Sequence, residues 1–236
     1  MDQNVENTEP IKNRKRFKDF VPIIVIVASV LLLVVEGFIY YQRVYLTPFW
    51  VNGQSMYPTL NGEATNADGE PLDENSGSSY AGYTVDYGVM DKHEKAINKL
   101  KRFDVVITKY GESDGSNKIK RVIGLPGETI EFVATGYGEK NNGNLYVNGE
   151  LVEQPVEKKY RIAANYPSGK IKLKENEYYV CGDNRGHSYD SRDVGAIPKK
   201  EIVGKAVALC ATAQVYLNDE GKLDVKNIKY HSPRYL

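Results

Sequence analysis

Two short segments carry side chains whose types could do nucleophilic chemistry together. In the first, Val51-Asn52-Gly53-Gln54-Ser55-Met56-Tyr57-Pro58-Thr59-Leu60, Ser55 lies between Gly53 and Pro58. Such a turn can expose a hydroxyl and a backbone N–H side by side. The second, Lys118-Ile119-Lys120-Arg121-Val122-Ile123-Gly124-Leu125-Pro126-Gly127-Glu128, reads as a strand with charges at alternate positions followed by a turn. Taken singly each is ordinary: a serine in a turn, and the exposed face of a strand. A serine hydroxyl attacks a carbonyl only when a nearby base takes its proton. A lysine can be that base only if its amine is neutral, so its pKa must fall well below about 10.4. Desolvation lowers it, and so does a neighbouring cation; Arg121 is adjacent to Lys120 but on a strand should point the other way.

The bulk averages narrow the alternatives. The chain has 236 residues with Lys+Arg and Asp+Glu both at 31, so its formal charge is zero. That balance excludes a nucleic-acid binder, which needs a basic surplus against phosphate. Three scattered His and two Cys argue against a zinc site and against a disulfide-stapled fold. A mean hydropathy of −0.48 suggests a soluble protein, but it averages unlike parts.

Residues 20–35, FVPIIVIVASVLLLVV, carry no charge, and after Glu36 the apolar run continues to Tyr41, a span of 22 residues. At about 1.5 Å per residue this helix crosses a hydrocarbon core of about 30 Å. Pro22 lies near the start of the span, where its missing N–H costs little. No small-residue cleavage site follows, so the span is expected to be a retained anchor. Lys12, Arg14, Lys15, Arg16 and Lys18 precede it, whereas only Arg43 follows within 15 residues. The positive-inside rule then leaves residues 1–19 as a basic cytoplasmic tail and puts the chain from residue 42 outside. Tyr40, Tyr41, Tyr45, Phe49 and Trp50 suit the outer interface of the bilayer, with core packing as the other reading.

Beyond the anchor the texture is β. Short apolar runs at 103–108, 119–123, 128–133, 178–181 and 202–209 are separated by turn residues, and Asn148-Gly149 joins 145–147 to 150–152 as a hairpin. The expected fold is therefore mainly β: an antiparallel core from 42–128 and 177–211, a smaller β insertion at 129–176, and a polar C-terminal tail at 212–236. Residues 61–82, with five acids and no Lys or Arg, read as a flexible loop, and 90–102 as one short helix. Cys181 and Cys210 both end apolar runs; they either pair or stay as buried thiols.

The combination of segments is far more specific than any one of them. GQSMYPTL (53–60), RFDVVI (102–107), KRVIGLPGE (120–128) and GDNRGHSYDSR (182–192), in that order behind an N-terminal anchor, resemble the type I signal peptidases. These are membrane-anchored Ser/Lys proteases that cut signal peptides from exported preproteins. The resemblance implies Ser55 as nucleophile and Lys120 as general base. It implies that Ser188 hydrogen-bonds and orients the lysine amine, that Asp190 and Arg192 form a supporting ion pair, and that Gly182 and Asp183 shape the wall behind the site. The Ser55 backbone N–H would stabilise the oxyanion. Some members add a serine two residues before the nucleophile; here Gly53 stands at that position and offers no side-chain donor. The resemblance further implies substrates with small residues at the first and third positions before the cut, bound by strand addition at the bilayer, and no metal or other cofactor. The acidic stretch 61–82 looks like an insertion.

Two other classes remain in view. A self-cleaving Ser/Lys repressor would need a cytosolic chain with a DNA-binding domain, which the apolar span opposes. A non-catalytic chaperone or pilus-assembly module on the same fold would lack the Ser/Lys pair.

Overall fold

The computed structural model describes residues 12–66, 68–71, 81–111, 116–134 and 143–236, with side chains from residue 20 onward. The chain divides into a helical unit ending at Val44 and a β unit from Tyr45 to Leu236.

Helix α1 runs from Lys12 to Tyr45. Its Phe20–Tyr45 stretch has a mean hydropathy of 2.7 and is long and apolar enough to cross a membrane. Leu31, Leu32, Leu33 and Phe38 are each at least 58% exposed, so nothing in the protein buries them and lipid is the environment that suits them. Pro22 is not at a helix start, because α1 begins ten residues earlier and the proline lies inside it.

The β unit begins with β1 (Leu46–Trp50) and β2 (Thr84–Asp91), then the short helix α2 (Glu94–Asn98). Next come β3 (Val105–Thr108), β4 (Lys118–Gly124), β5 (Thr129–Val133), β6 (Asn144–Val147) and β7 (Glu150–Val152). The chain continues through β8 (Lys170–Lys172), β9 (Glu177–Cys181), α3 (Ser191–Val194), β10 (Ile197–Pro198), β11 (Ile202–Leu217) and β12 (Leu223–Tyr235). The larger sheet runs β1-β2-β11-β3-β4-β9-β10, with β12 also on β11; the smaller runs β7-β6-β5-β8. Every pairing is antiparallel, as the mainly β expectation required. Bulges along β11 bend it, so one strand serves β2 on one side and both β3 and β12 on the other. Asn148 and Gly149 have φ of 52° and 90°, the paired left-handed conformation that an Asn-Gly hairpin turn demands.

Several expectations change. Residues 212–236 are not a tail: β11 runs on to Leu217 and β12 follows. Ala211, Ala213 and Val215 are fully buried on alternate positions, a period-2 signal muted because its apolar members are mostly alanine. Of the acidic segment 61–82, residues 67 and 72–80 lie outside the described residues, but its start is packed, with Asn61 and Ala64 at 1% and 4% exposure. The short helix covers Glu94–Asn98, not all of 90–102. Phe49 and Trp50 are half-buried on β1, packed against separate core clusters, so for them the core reading holds. Cys181 and Cys210 are both free. Strands β3 and β4 lie between theirs, a separation of about 14 Å at about 4.8 Å per strand, against about 7 Å as the limit for a disulfide.

Candidate active site

Ser55 lies on the turn that follows β1. Val51, Met56 and Leu60, each at most 1% exposed, plug this turn into a core shared with Met90, Val105, Ile107, Ala206 and Leu209. Gly53 at φ 111° turns the chain, and Tyr57 N–H closes on the Gln54 carbonyl at 2.9 Å. Buried neighbours on both sides leave the half-exposed Ser55 little freedom to move, and among the described residues its backbone N–H makes no backbone hydrogen bond.

Lys120 comes from the middle of β4, a strand paired on both sides, opposite Val106 of β3. It is 4% exposed, unlike a residue on a solvated charged face. Its Nζ lies 2.8 Å from Ser55 Oγ and donates to the Ile119 carbonyl, also at 2.8 Å. Burial pulls its pKa from 10.5 down to about 8. The Lys118 ammonium, two residues away on the same strand face, lowers it further, while the Asp190 carboxylate opposes both. The protein's own walls dry the amine; neither substrate nor membrane is needed for that.

Arg121 does point the other way. Its Nε donates to Asp183 Oδ1 at 2.7 Å, Nη1 to the Phe103 carbonyl at 2.9 Å, and Nη2 to Thr59 Oγ1 at 3.4 Å. Asp183 therefore does more than shape a wall, because it neutralises a buried arginine that also reaches the Ser55 turn. Asp190 and Arg192 pair as expected, at 2.9 and 2.8 Å, but both side chains have no exposure, so this is no surface pair. Burial alone would raise the Asp190 pKa; the bonds from Arg192 and from the Gly182 N–H (2.9 Å) hold it below the usual carboxylate range.

Gly182 is tied to the nucleophile sterically. A Cβ there would sit 2.3 Å from the Ser55 carbonyl oxygen and 2.3 Å from Ser188 Oγ. The next turn is stitched to the same place, with Asn184 N–H donating to the Ser55 carbonyl at 3.1 Å. Ser188 is thus beside the nucleophile, but the structure does not put it on the lysine. The Lys120 amine is occupied by Ser55 Oγ and the Ile119 carbonyl, while the buried Ser188 hydroxyl acts on the Asp190 carboxylate, helping to lower its pKa.

Residues that sequence reasoning passed over complete the wall. Arg185, 1% exposed, donates to the Gly182 carbonyl at 2.7 Å and to Gln154 Oε1 at 3.0 Å. Arg192 Nη1 reaches Asn165 Oδ1 at 2.8 Å. Arg121 and Arg185 sit inside the matching motifs, and a buried arginine must meet an acceptor; Gln154 and Asn165 lie in the insertion and carry no such signal.

A groove of about 580 Å³ opens onto Ser55 and Lys120, walled by Phe49, Met90, Ile107 and Ile119 and edged by β1. Strand β1 ends the sheet, and among the described residues no strand pairs with its outer edge. Among the described residues no three His, Cys, Asp or Glu side chains converge on a metal site. A serine hydroxyl thus lies against a buried lysine amine beside a groove lined by both polar and apolar side chains.

The family model described as signal peptidase, peptidase S26 matches residues 18–211. Signal peptidase I S of Bacillus subtilis is 31% identical over 211 residues, covering 84% of this chain and 90% of its own length. Signal peptidase I T of the same organism is 33% identical over 188 residues, covering 76% and 78%. A signal peptidase I structure from Enterococcus faecalis matches with 28% identity over 45% of this chain and 96% of that one, at a TM-score of 0.34. The chain belongs to the S26 signal peptidase family of hydrolases.

Proposed function

We propose that this chain is a membrane-anchored serine endopeptidase that removes N-terminal signal peptides from preproteins at the outer face of the cell membrane. The observation that carries the mechanism is the 2.8 Å contact between Ser55 Oγ and the buried Nζ of Lys120. In its neutral form the amine keeps one N–H on the Ile119 carbonyl and turns its lone pair to the Ser55 hydroxyl. As Ser55 Oγ attacks the scissile carbonyl carbon, its proton passes to Lys120. The charge on the carbonyl oxygen meets the Ser55 backbone N–H. Lys120 then hands the proton to the departing amine, leaving the signal peptide as an ester on Ser55, and the base activates a water to hydrolyse it.

The groove supports the substrate reading. An extended segment adding to the β1 edge would present alternate side chains to walls formed by Phe49 and Ile119. Small residues at the first and third positions before the cut would sit against Phe49 and Ile119 in a groove that Asn52, Asn117 and Lys118 also line. The apolar α1 and the excess of Lys and Arg on its N-terminal side favour an N-terminus in the cytoplasm and a β unit outside.

The test is cleavage of a preprotein bearing an Ala-x-Ala site by the full chain in detergent micelles, beside Ser55→Ala, Lys120→Ala and the double variant. Wild type should cleave, and the three variants should lose similar activity because the pair acts as a unit. Cleavage at the wild-type rate by Lys120→Ala sinks the mechanism. An inert wild type returns the chain to the non-catalytic assembly-module reading.

A further inference from the structure

Strand β12 lies beyond the residues that the family model matches, yet it touches the turn carrying Ser55. That turn is a closed loop. Val51 N–H donates to the Asp86 carbonyl at 3.0 Å, and ten residues on, Asn61 Oδ1 accepts from Asp86 N–H at 2.8 Å. The Asn61 N–H donates to Asp86 Oδ2 at 2.6 Å, and Asn61 Nδ2 returns to the Val51 carbonyl at 3.0 Å. Both ends of the loop are therefore clamped to one residue of β2. Asn61, at φ 61° and 1% exposure, is spent on that clamp, not on solvent.

Arg234 of β12 spans clamp and loop. Its Nη2 donates to Asp86 Oδ2 at 3.2 Å and to the Thr59 carbonyl at 3.3 Å. The hydroxyl of the same Thr59 accepts from Arg121, the neighbour of Lys120 on β4. Thr59 is thus held from the base's strand on one side and from β12 on the other. Leu236, whose N–H donates to the Val207 carbonyl at 3.1 Å, packs against the cluster that holds Met56 and Leu60.

We propose that β12 braces the nucleophile loop, with Arg234 and Asp86 as positioning residues that hold the 51–61 loop, and so Ser55, at hydrogen-bond distance from Lys120. Neither residue reaches the groove beside Ser55, so they act on the reacting atoms only through the loop. The proposal rests on Ser55 being the nucleophile, and the experiment separates the two ideas.

Wild type, Ser55→Ala, Arg234→Ala, Arg234→Lys, Asp86→Asn and the Arg234→Ala/Asp86→Asn double variant are assayed as full chains in micelles on the same preprotein, with thermal melts alongside. Arg234→Ala should lower kcat about tenfold, short of the about 100-fold that a full ångström of misplacement costs, because the clamp from Asn61 to Asp86 remains, with KM within about twofold. Arg234→Lys should restore part of the loss, because an ammonium reaches one of the two acceptors. Asp86→Asn should fall by a similar factor, and the double variant should be no worse than the poorer single. Wild-type kcat in Arg234→Ala, a rise in KM matching the fall in kcat, or losses that multiply in the double variant would each overturn the brace. So would a loss of activity accounted for by a lower folded fraction in the melts. If wild type is inactive, or Ser55→Ala cleaves at the wild-type rate, it is the underlying functional reading that fails.

Discussion

Replacing Lys120 by Met should abolish cleavage and make the protein more stable. Burial holds the Lys120 pKa near 8 against an ordinary 10.5, so the folded chain binds that proton less well than the unfolded chain does. A gap of this size corresponds to about 3 kcal/mol disfavouring the folded state at neutral pH. Methionine has similar length and no charge, and so removes this term. It also forfeits the bond to the Ile119 carbonyl, which offsets about 1 kcal/mol. The net gain is about 2 kcal/mol, a rise in Tm of about 5 °C for a β unit of this size.

The sign of the pH dependence is fixed. Below pH 8 both folded and unfolded wild type hold the proton, and the penalty is complete. Between pH 8 and 10.5 the folded chain has released it while the unfolded chain retains it, so wild-type stability climbs with pH. The advantage of Lys120→Met should therefore be full at pH 7, shrink across pH 8 to 10.5, and reverse slightly at the upper end, where only the lost bond to the Ile119 carbonyl, about 1 kcal/mol, remains. Thermal or urea denaturation of the full chain in micelles at pH 6, 7, 9 and 10.5 reads this directly. A variant less stable than wild type at pH 7, or a gain identical at pH 6 and 10.5, refutes the account of a base dried by the fold.

With Lys120 as the proposed base, kcat/KM should fall about tenfold per pH unit below a half-maximum near pH 8. Lys118→Gln removes a cation that lowers the Lys120 pKa, so its limb should move to higher pH; an unmoved limb would separate Lys118 from the base. Gly182→Ala forces a Cβ to within 2.3 Å of the Ser55 carbonyl oxygen, backbone that cannot swing aside. The variant should lose about 100-fold in kcat, as measured by steady-state cleavage. Asp190→Ala strands the buried Arg192 charge and the Gly182 N–H, and urea titration should register about 3–5 kcal/mol of lost stability.

The candidate site was more legible than the sheet around it. Motif order pointed to Ser55, Lys120, Gly182 and the Asp190–Arg192 pair, and all five lie together. Runs rich in Val, Ile and Tyr located β3, β4, β5, β6, β7 and β9 to within a residue or two. Strands β1 and β2 escaped notice because Pro48 and Gly88 break the usual strand composition. Proline is tolerated there because β1 is an edge, and glycine because a Cβ at 88 would sit 2.5 Å from the Ala208 carbonyl. The second half of β11 and all of β12 escaped, the latter because it is exposed along most of its length and its short Leu223–Lys226 alternation breaks at Asn227.

The sequence by itself determined an apolar helix long enough to cross a membrane, a β texture behind it and the residue types of a Ser/Lys pair, all of which are local properties. What no local pattern contains is that Lys120 is dry, because basicity depends on what surrounds the amine and not on its place in the chain. That was decided when β4 was sealed between β3 and β9 and met a turn 65 residues earlier in the sequence. The partner of each buried charge is likewise a tertiary fact. Arg121 found Asp183, Arg192 found Asp190 and Ser188 was left off the lysine, because a charge in a low-dielectric interior binds whichever opposite group the packing brings within reach.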